Sequence, residues 1–375
     1  MDATGKSPED LPLVVVAAGG TGGHLFPAEA LAVALARRGV TVDLATDERA
    51  ALYGKDFPAR HTHIIPSATV RGRDPLSLTR TGLRLGYGTW RAFWLFGRLR
   101  PAAVIGFGGY PTIPPLLAAT WRRIPTLIHE QNGVMGRANR LLAPRVAAIA
   151  TSFAGVLDRD AALAAKATHT GNPVRPAVVE AAKVPYAAPG RPGPLNLLVF
   201  GGSQGARIMA DIVPPAIELL PVALRAQLSI TQQARGEDIE RVRSTYARLG
   251  AAAEVAPFFA DLPARIANSH LVVSRSGAST VAELAAIGRP AILVPLPHAL
   301  DQDQLANAAV LEQAGGAIRI DQTAFTPDKL ASEIAAIAVE PDRLAIMAQR
   351  ARAAGALDAA DRLAELVLRV AGLKA

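Results

Sequence analysis

The sequence predicts an α/β protein of two domains, each built on a parallel sheet with helices on both faces. Three observations carry that expectation. The apolar run at residues 13–18 gives way to a glycine-rich turn and a helical pattern, and the same succession returns at 195–200, 201–205 and from 206 onward. Short apolar runs at 103–105, 126–128, 271–273 and 291–294 alternate with helical stretches, as strands buried on both faces do. Between the halves, Pro173, Pro176, Pro185, Pro189, Pro192 and Pro194, with Gly190 and Gly193, mark an interdomain linker.

Taken in order, residues 13–18 with three consecutive valines read as a first strand. The acidic start (Asp2, Glu9, Asp10) and the glycines that end the run argue against a signal peptide. Pro27 suits the first turn of the following helix, which runs through Leu31 and Leu35 and ends at Gly39. The first domain is expected over 1–172 and the second over 173–356. Two final helices, near 342–354 and 358–370, have no strand after them, and the sequence leaves open whether the last, about 357–372, packs back on the first domain.

Composition narrows the class of protein. The 375 residues suffice for two ordinary cores, and the absence of cysteine excludes disulfides and thiolate chemistry and suits a reducing compartment. No apolar stretch approaches the ~20 residues of a spanning helix. The net charge is +8, and all of it belongs to the first half: residues 1–172 hold 20 Lys+Arg against 12 Asp+Glu, the remainder 20 against 20. Such a half attracts nucleic acid, anionic lipid or a pyrophosphate substrate equally well.

The chemistry gathers in glycine-rich turns and polar clusters just past the expected strands, where open α/β sheets place ligands. The first turn, GGTGGH (19–24), lets backbone N–H groups approach an anion at a helix N-terminus. It is neither the full dinucleotide fingerprint nor a Walker motif. His24 closes it, as a general base or as a residue that caps or packs; spacing alone leaves both open. GFGGY (106–110) and GGSQGAR (201–207) are further glycine turns, the latter adding the Ser203 hydroxyl. HEQN (129–132), GNPVR (171–175), SRSGAST (274–280) with Glu283, and PLPHALDQDQLANA (295–308) complete the set. Ser279 or Thr280 with Glu283 also fits a capping box.

These seven motifs, in the order of their residue numbers and over nearly the whole chain, resemble the MurG family of glycosyltransferases. The resemblance implies a GT-B fold, two Rossmann-like domains facing an interdomain cleft. It implies inverting transfer of N-acetylglucosamine from UDP-N-acetylglucosamine to the muramoyl 4-hydroxyl of undecaprenyl-diphospho-N-acetylmuramoyl-pentapeptide. The donor would bind the second domain and the lipid-linked acceptor the first. By motif position, Glu283 is expected on the ribose, Arg275 in the uridine and phosphate segment, and the Phe259 backbone on uracil. Ser203 and Thr280 belong with the diphosphate, and Ser279 is a further substrate-binding candidate. Asn132, Arg175, Gln304 and Asn307 fall near the sugar or the interdomain cleft, and Thr21, Gly22, Gly23, His24, Tyr110 and His129 towards donor sugar or acceptor. Asp303 stands where many relatives have Gln or His, and an ionised carboxylate accepts from a sugar hydroxyl but cannot donate to it.

His24 is then the candidate base, with the turn amides, Ser203 and Thr280 answering charge on the departing UDP. No Asp-x-Asp lies in the phosphate turns, so no cofactor is required by the sequence; accessory Mg²⁺ stays open. The family's place is the cytoplasmic face of the bacterial inner membrane. Residues 71–100 suit that surface, with seven arginines, one acid and the aromatics Tyr87, Trp90, Phe93, Trp94 and Phe96. Periodicity alone slightly favours those aromatics in a core, and Gly82, Gly86 and Gly88 weaken a helix there. Other readings are a related enzyme glycosylating another lipid and a non-catalytic UDP-sugar-binding module. No recognisable nucleic-acid module supports a nucleic-acid partner.

Overall fold

A computed structural model describes residues 11–19, 22–48, 57–68, 75–190, 193–202, 205–297 and 303–374; Thr21 and Ser203 lie outside them. The chain forms two compact units, residues 1–175 with 358–375, and residues 176–357.

The first unit runs β1 (Leu13–Ala17), α1 (Gly22–Ala36), β2 (Thr41–Thr46), β3 (Thr62–Ile64), α2 (Pro75–Leu99), β4 (Ala103–Gly106), α3 (Ile113–Trp121), β5 (Thr126–Glu130), α4 (Arg137–Leu142), β6 (Ala148–Thr151), α5 (Ala161–Ala164) and β7 (Ala167–His169). Its seven strands are all parallel, in the order β3-β2-β1-β4-β5-β6-β7. The valine run explains why both faces must be covered. Val14 and Val16 enter one core with Leu31 and Leu35, while Val15 and Ala17 enter another with Phe96, Leu116 and Ile128.

The second unit runs α6 (Pro176–Ala181), β8 (Leu195–Phe200), α7 (Arg207–Leu219), α8 (Val222–Arg225), β9 (Leu228–Gln233), α9 (Ile239–Arg248), β10 (Ala252–Ala256), α10 (Leu262–Ala267), β11 (Leu271–Ser274), α11 (Ala278–Ile287), β12 (Ala291–Leu293), α12 (Asp303–Gln313), β13 (Ala317–Arg319), α13 (Pro327–Ala338) and α14 (Pro341–Ala353). Its six strands are parallel in the order β10-β9-β8-β11-β12-β13. Leu197, Val199, Val213, Ile217 and Ile334 lie in its core.

The final helix, α15 (Ala359–Ala371), belongs to the first unit. Leu363 and Val367 join the core of Leu31 and Leu35, and each such buried side chain contributes about 1.5–3 kcal/mol. Arg38 and Arg37 of the α1 end reach Asp361 at 2.7 and 3.0 Å. These pairs are partly exposed, so apolar burial supplies most of the anchoring.

Three local expectations are corrected. Pro27 lies inside α1, not in its first turn, because the helix starts at Gly22. Residues 173–194 are not a free linker: they include α6, and the stretch after it is bound to the second unit. The buried Arg289 guanidinium donates to the carbonyls of Val184 (3.0 Å), Ala267 (2.9 Å) and Ile287 (2.8 Å), and Arg352 donates to that of Ala182. The third correction is α2, which continues through Gly82, Gly86 and Gly88. At Gly88 a Cβ would stand 2.0 Å from the Pro66 carbonyl oxygen, so this glycine permits a close crossing that outweighs its poor helix propensity.

Candidate functional site

In both units the strand order reverses beside the first strand, and two candidate motifs of each unit follow the strands on either side of that reversal, while HEQN runs out of β5 and GNPVR and the 295–308 segment follow β7 and β12. In the first unit β1 pairs with β4 up to Ala17 and Gly106, so the strands that lead to α1 and to Gly108 to Tyr110 end level with each other. In the second, β8 pairs with β11 up to Phe200 and Ser274, bringing Gly201 and Gly202 to the same edge as SRSG. Open parallel sheets bind ligands at this place because the two connections diverge to opposite faces and leave a crevice.

Glycine is required at specific points. A Cβ on Gly19 would approach the Asp47 carboxylate at 2.9 Å and Thr46 Oγ1 at 3.0 Å. Gly108 and Gly109 have φ of 81° and 73°, and Gly202 and Gly205 of 90° and 66°. On Gly201 a Cβ would meet the Ala206 nitrogen at 2.2 Å, which explains the start of that turn.

His24 lies in the first turn of α1, alongside the backbone of Gly108 and Gly109. Its Nδ1 is 2.8 Å from Gln131 Oε1, and Gln131 Nε2 donates to the Phe107 carbonyl at 2.9 Å. The Phe107 amide in turn donates to Ala17, linking the loops after β1, β4 and β5.

Beside it, Glu130 ends β5 as a buried acid with neutral donors. Its carboxylate accepts from the Asn132 amide (3.0 Å), the Gly136 amide (2.9 Å) and Asn139 Nδ2 (2.8 Å). Burial pushes its pKa above the ordinary carboxylate value, and these donors oppose the rise. The carboxylate thereby shapes the loop that carries Asn132.

His129 requires a correction as a substrate-facing residue. It is 0% exposed, packs on the Phe107 ring with centroids 5.3 Å apart, and donates from Nε2 to the Gly171 carbonyl at 3.0 Å. It therefore holds the GNPVR turn against β5. Burial lowers its pKa to about 4 from 6.5. The unfolded chain then binds more protons between these values, so this contribution is present above about pH 6.5 and declines as pH falls towards about 4. It amounts to about 3 kcal/mol, read as unfolding free energy from urea titrations. His129→Phe is expected to flatten that limb; an unchanged slope would mean that other groups produce it.

Arg175, from the same turn, lays its guanidinium over the Phe26 ring, 4.0 Å from the centroid. Tyr110 opens the short 3₁₀ turn before α3 and is partly buried.

In the second unit, Gln233 braces two loops at once. Its Oε1 accepts from the Gly201 amide at 2.9 Å, while Nε2 donates to the carbonyls of Gly202 and Pro257, both at 3.1 Å. Phe259 follows Pro257, buried, with the Arg265 guanidinium 4.3 Å from its ring centroid. Neither Gln131, although it stands within HEQN, nor Gln233 has a role among the residues read from the sequence. Their signal was a polar side chain at the end of a buried strand, which strand patterning alone does not separate from loop chemistry.

Arg275 points into the fold. Its guanidinium donates to the carbonyls of Val294 (3.1 Å) and Pro295 (3.0 Å) and to Gln322 Oε1 (2.6 Å), which fixes the loop after β12. Ser279, Thr280 and Glu283 all lie on α11, but the N-cap is Gly277 and no side chain caps it, so the capping box is absent. Two helical residues cannot serve as the extended cap that such a box needs. Glu283 is 6% exposed.

At the start of α12, Asp303 Oδ1 accepts from the Gln304 amide at 2.8 Å. Gln304 Oε1 accepts from the Leu296 amide at 3.1 Å, its carbonyl accepts from Ser276 Oγ at 2.8 Å, and Asn307 Nδ2 donates to the Ser276 carbonyl at 3.2 Å. The loops after β11 and β12 are thus joined through α12. Among the described residues, no three His, Asp or Glu side chains come together as metal ligands.

Residues 14–151 match the glycosyltransferase family 28 N-terminal domain and residues 196–363 its C-terminal domain. A protein of Rhodopseudomonas palustris (strain ATCC BAA-98 / CGA009) named UDP-N-acetylglucosamine--N-acetylmuramyl-(pentapeptide) pyrophosphoryl-undecaprenol N-acetylglucosamine transferase is 65% identical over 362 residues, covering 96% of this chain and 99% of its own. A protein of the same name from Bradyrhizobium sp. (strain ORS 278) is 64% identical over 362 residues, with the same coverages. The crystal structure of Acinetobacter baumannii MurG superposes with a TM-score of 0.77 at 29% identity, covering 96% of this chain and 99% of that one. A UDP-GlcNAc 2-epimerase from Neisseria meningitidis bound to UDP-GlcNAc shares the fold, with a TM-score of 0.68 at 13% identity, over 96% of this chain and 100% of that one. Two parallel-sheet α/β units with glycine turns at each strand reversal define a GT-B enzyme. The chain belongs to glycosyltransferase family 28.

Proposed function

We propose that the chain transfers N-acetylglucosamine from UDP-N-acetylglucosamine, with inversion, to the 4-hydroxyl of undecaprenyl-diphospho-N-acetylmuramoyl-pentapeptide. The observation that carries this reading is that each unit places two glycine-rich motifs on the strands flanking its strand reversal, in a chain 65% identical to an enzyme named for that transfer. The second unit takes the donor: Glu283 accepts from the ribose hydroxyls, the Phe259 backbone reads uracil, and Ser203 and Thr280 donate to the diphosphate. Asp303, Gln304 and Asn307 serve the sugar. On the first unit, the amides of Gly22 and Gly23 with Thr21 and Tyr110 line the acceptor side, and His24 removes the hydroxyl proton as UDP leaves.

Radiolabel from UDP-N-acetylglucosamine is expected to enter a muramoyl-pentapeptide diphospholipid and not a diacylglycerol offered in parallel. Labelling of the diacylglycerol instead would identify the related lipid glycosyltransferase.

The enzyme works at the cytoplasmic face of the bacterial inner membrane, peripherally. Supporting this, Leu83, Tyr87, Trp90 and Trp94 recur every three or four residues on α2 and all are exposed, Trp90 by 59% and Trp94 by 57%. Phe96 is buried, and Phe93 is half-buried with the Arg122 guanidinium 3.9 Å from its centroid, so these two aromatics belong to packing. Exposed Arg80, Arg84 and Arg91 accompany the stripe. No helix among the described residues is long and apolar enough to cross a membrane.

Each of these arginines is expected to contribute about 1 kcal/mol near an anionic surface. Arg80→Gln, Arg84→Gln and Arg91→Gln together should weaken binding to anionic vesicles in flotation at low salt, with the difference shrinking as salt rises. Equal binding by folded wild type and triple variant would remove this helix as the contact.

A further inference from the structure

The hydrogen bonds around His24 settle which of its nitrogens carries hydrogen, and the residue that settles it, Gln131 of the HEQN segment, has no role in catalysis or binding assigned above. We propose that Gln131 is a positioning residue that holds His24 as the Nδ1–H tautomer, leaving the Nε2 lone pair as the atom that takes the acceptor proton. The proposal rests on the reading of His24 as the general base.

A primary amide has one acceptor oxygen and a donating NH₂ group. The Phe107 carbonyl only accepts, so the Gln131 atom 2.9 Å from it must be the NH₂. That leaves Oε1 at 2.8 Å from His24 Nδ1. An amide oxygen only accepts in turn, so Nδ1 must donate. The orientation of the amide, often interchangeable, is here dictated by its fixed partner.

The partner cannot easily give way. Phe107 is fully buried, and its own amide donates to the Ala17 carbonyl at 2.9 Å, so the carbonyl that orients Gln131 is tied to β1. Gln131 is 3% exposed, which keeps water from competing for its oxygen. The Nδ1–H bond suits the neutral imidazole and equally the imidazolium formed when Nε2 takes a proton. Gln131 therefore keeps its bond throughout the transfer, and only Nε2 changes state.

His129 supplies an internal contrast. Its Nε2 faces the Gly171 carbonyl, so its neutral form is the opposite tautomer. The two histidines, one in α1 and one in β5 of the same unit, present different nitrogens, which makes tautomer a property of local partners and not of the unit as a whole.

The test combines spectroscopy with kinetics on the full chain. With ¹⁵N-labelled histidine at alkaline pH, His24 is expected to show a protonated Nδ1 and a bare Nε2, assigned by its loss in His24→Ala. In Gln131→Met the pattern should average between tautomers. That variant should lose roughly 10–100-fold in kcat with KM for UDP-N-acetylglucosamine within about twofold. Gln131→Glu keeps an acceptor for Nδ1–H in either ionisation state and should recover most of the lost kcat.

A protonated Nε2 in the wild type, or an unchanged kcat in Gln131→Met, would overturn the proposal. Equal losses in Gln131→Met and Gln131→Glu would overturn it too, since they would trace the effect to bracing of the Phe107 carbonyl. If the wild type transfers no sugar to the lipid acceptor, the functional reading fails, while the ¹⁵N pattern still decides the tautomer.

Discussion

Replacing His24 by alanine is expected to lower kcat by roughly 10²–10⁴-fold while KM for UDP-N-acetylglucosamine changes little. The imidazole stands at the first turn of α1, in the bend that joins β1 to its helix and alongside the turn after β4. Removing a proton from a sugar hydroxyl is work done only as the new bond forms, so its loss affects the transition state and spares donor binding. Steady-state kinetics with both substrates varied separates the two. Near-normal turnover by a folded His24→Ala variant would assign His24 to packing, the alternative its position in the helix also permits.

Replacing Glu283 by alanine is expected to raise the dissociation constant for UDP-N-acetylglucosamine by about 10²- to 10⁴-fold and to erode preference for uridine over other nucleotides. A carboxylate accepting two ribose hydroxyls makes charge-assisted bonds of roughly 1.5–3 kcal/mol each, and its removal leaves both hydroxyls unanswered. Glu283 is buried on α11, the helix that follows the SRSG turn at the strand reversal of the second unit. Isothermal titration of UDP-sugar into folded variant measures the effect. Unchanged affinity and nucleotide preference would place Glu283 in the core of the helix and outside the site.

The two predictions draw on features that differ in how they reach the sequence. Glycine turns leave a local mark: Gly201 is demanded by an approach of 2.2 Å and Gly108 by a positive φ, and no other residue type meets either need easily. Strands buried on both faces also read directly, as Val14 to Val16 show by feeding two cores alternately. Arg289 is the opposite case. What orders the proline-rich stretch after residue 181 is a guanidinium more than a hundred residues away, and neither composition nor spacing reports it. Likewise Gln131 and Gln233 matter through the carbonyls they meet, Phe107 in one unit and Gly202 with Pro257 in the other. Helix α2 failed the propensity test at Gly88 for the same reason, since the close crossing at Pro66 that favours glycine exists only once the chain is folded.

The donor alone does not separate transfer from other chemistry on this fold, since a UDP-GlcNAc 2-epimerase shares it. The decisive measurement is the structure of the product formed from UDP-N-acetylglucosamine and undecaprenyl-diphospho-N-acetylmuramoyl-pentapeptide, by mass spectrometry and proton NMR. The expected product is the lipid carrying one additional N-acetylhexosamine in β linkage at the muramoyl 4-oxygen, with UDP released in equal amount. An unchanged lipid accompanied by epimerised or hydrolysed UDP-sugar, or a sugar attached in α linkage, would contradict inverting transfer to this acceptor.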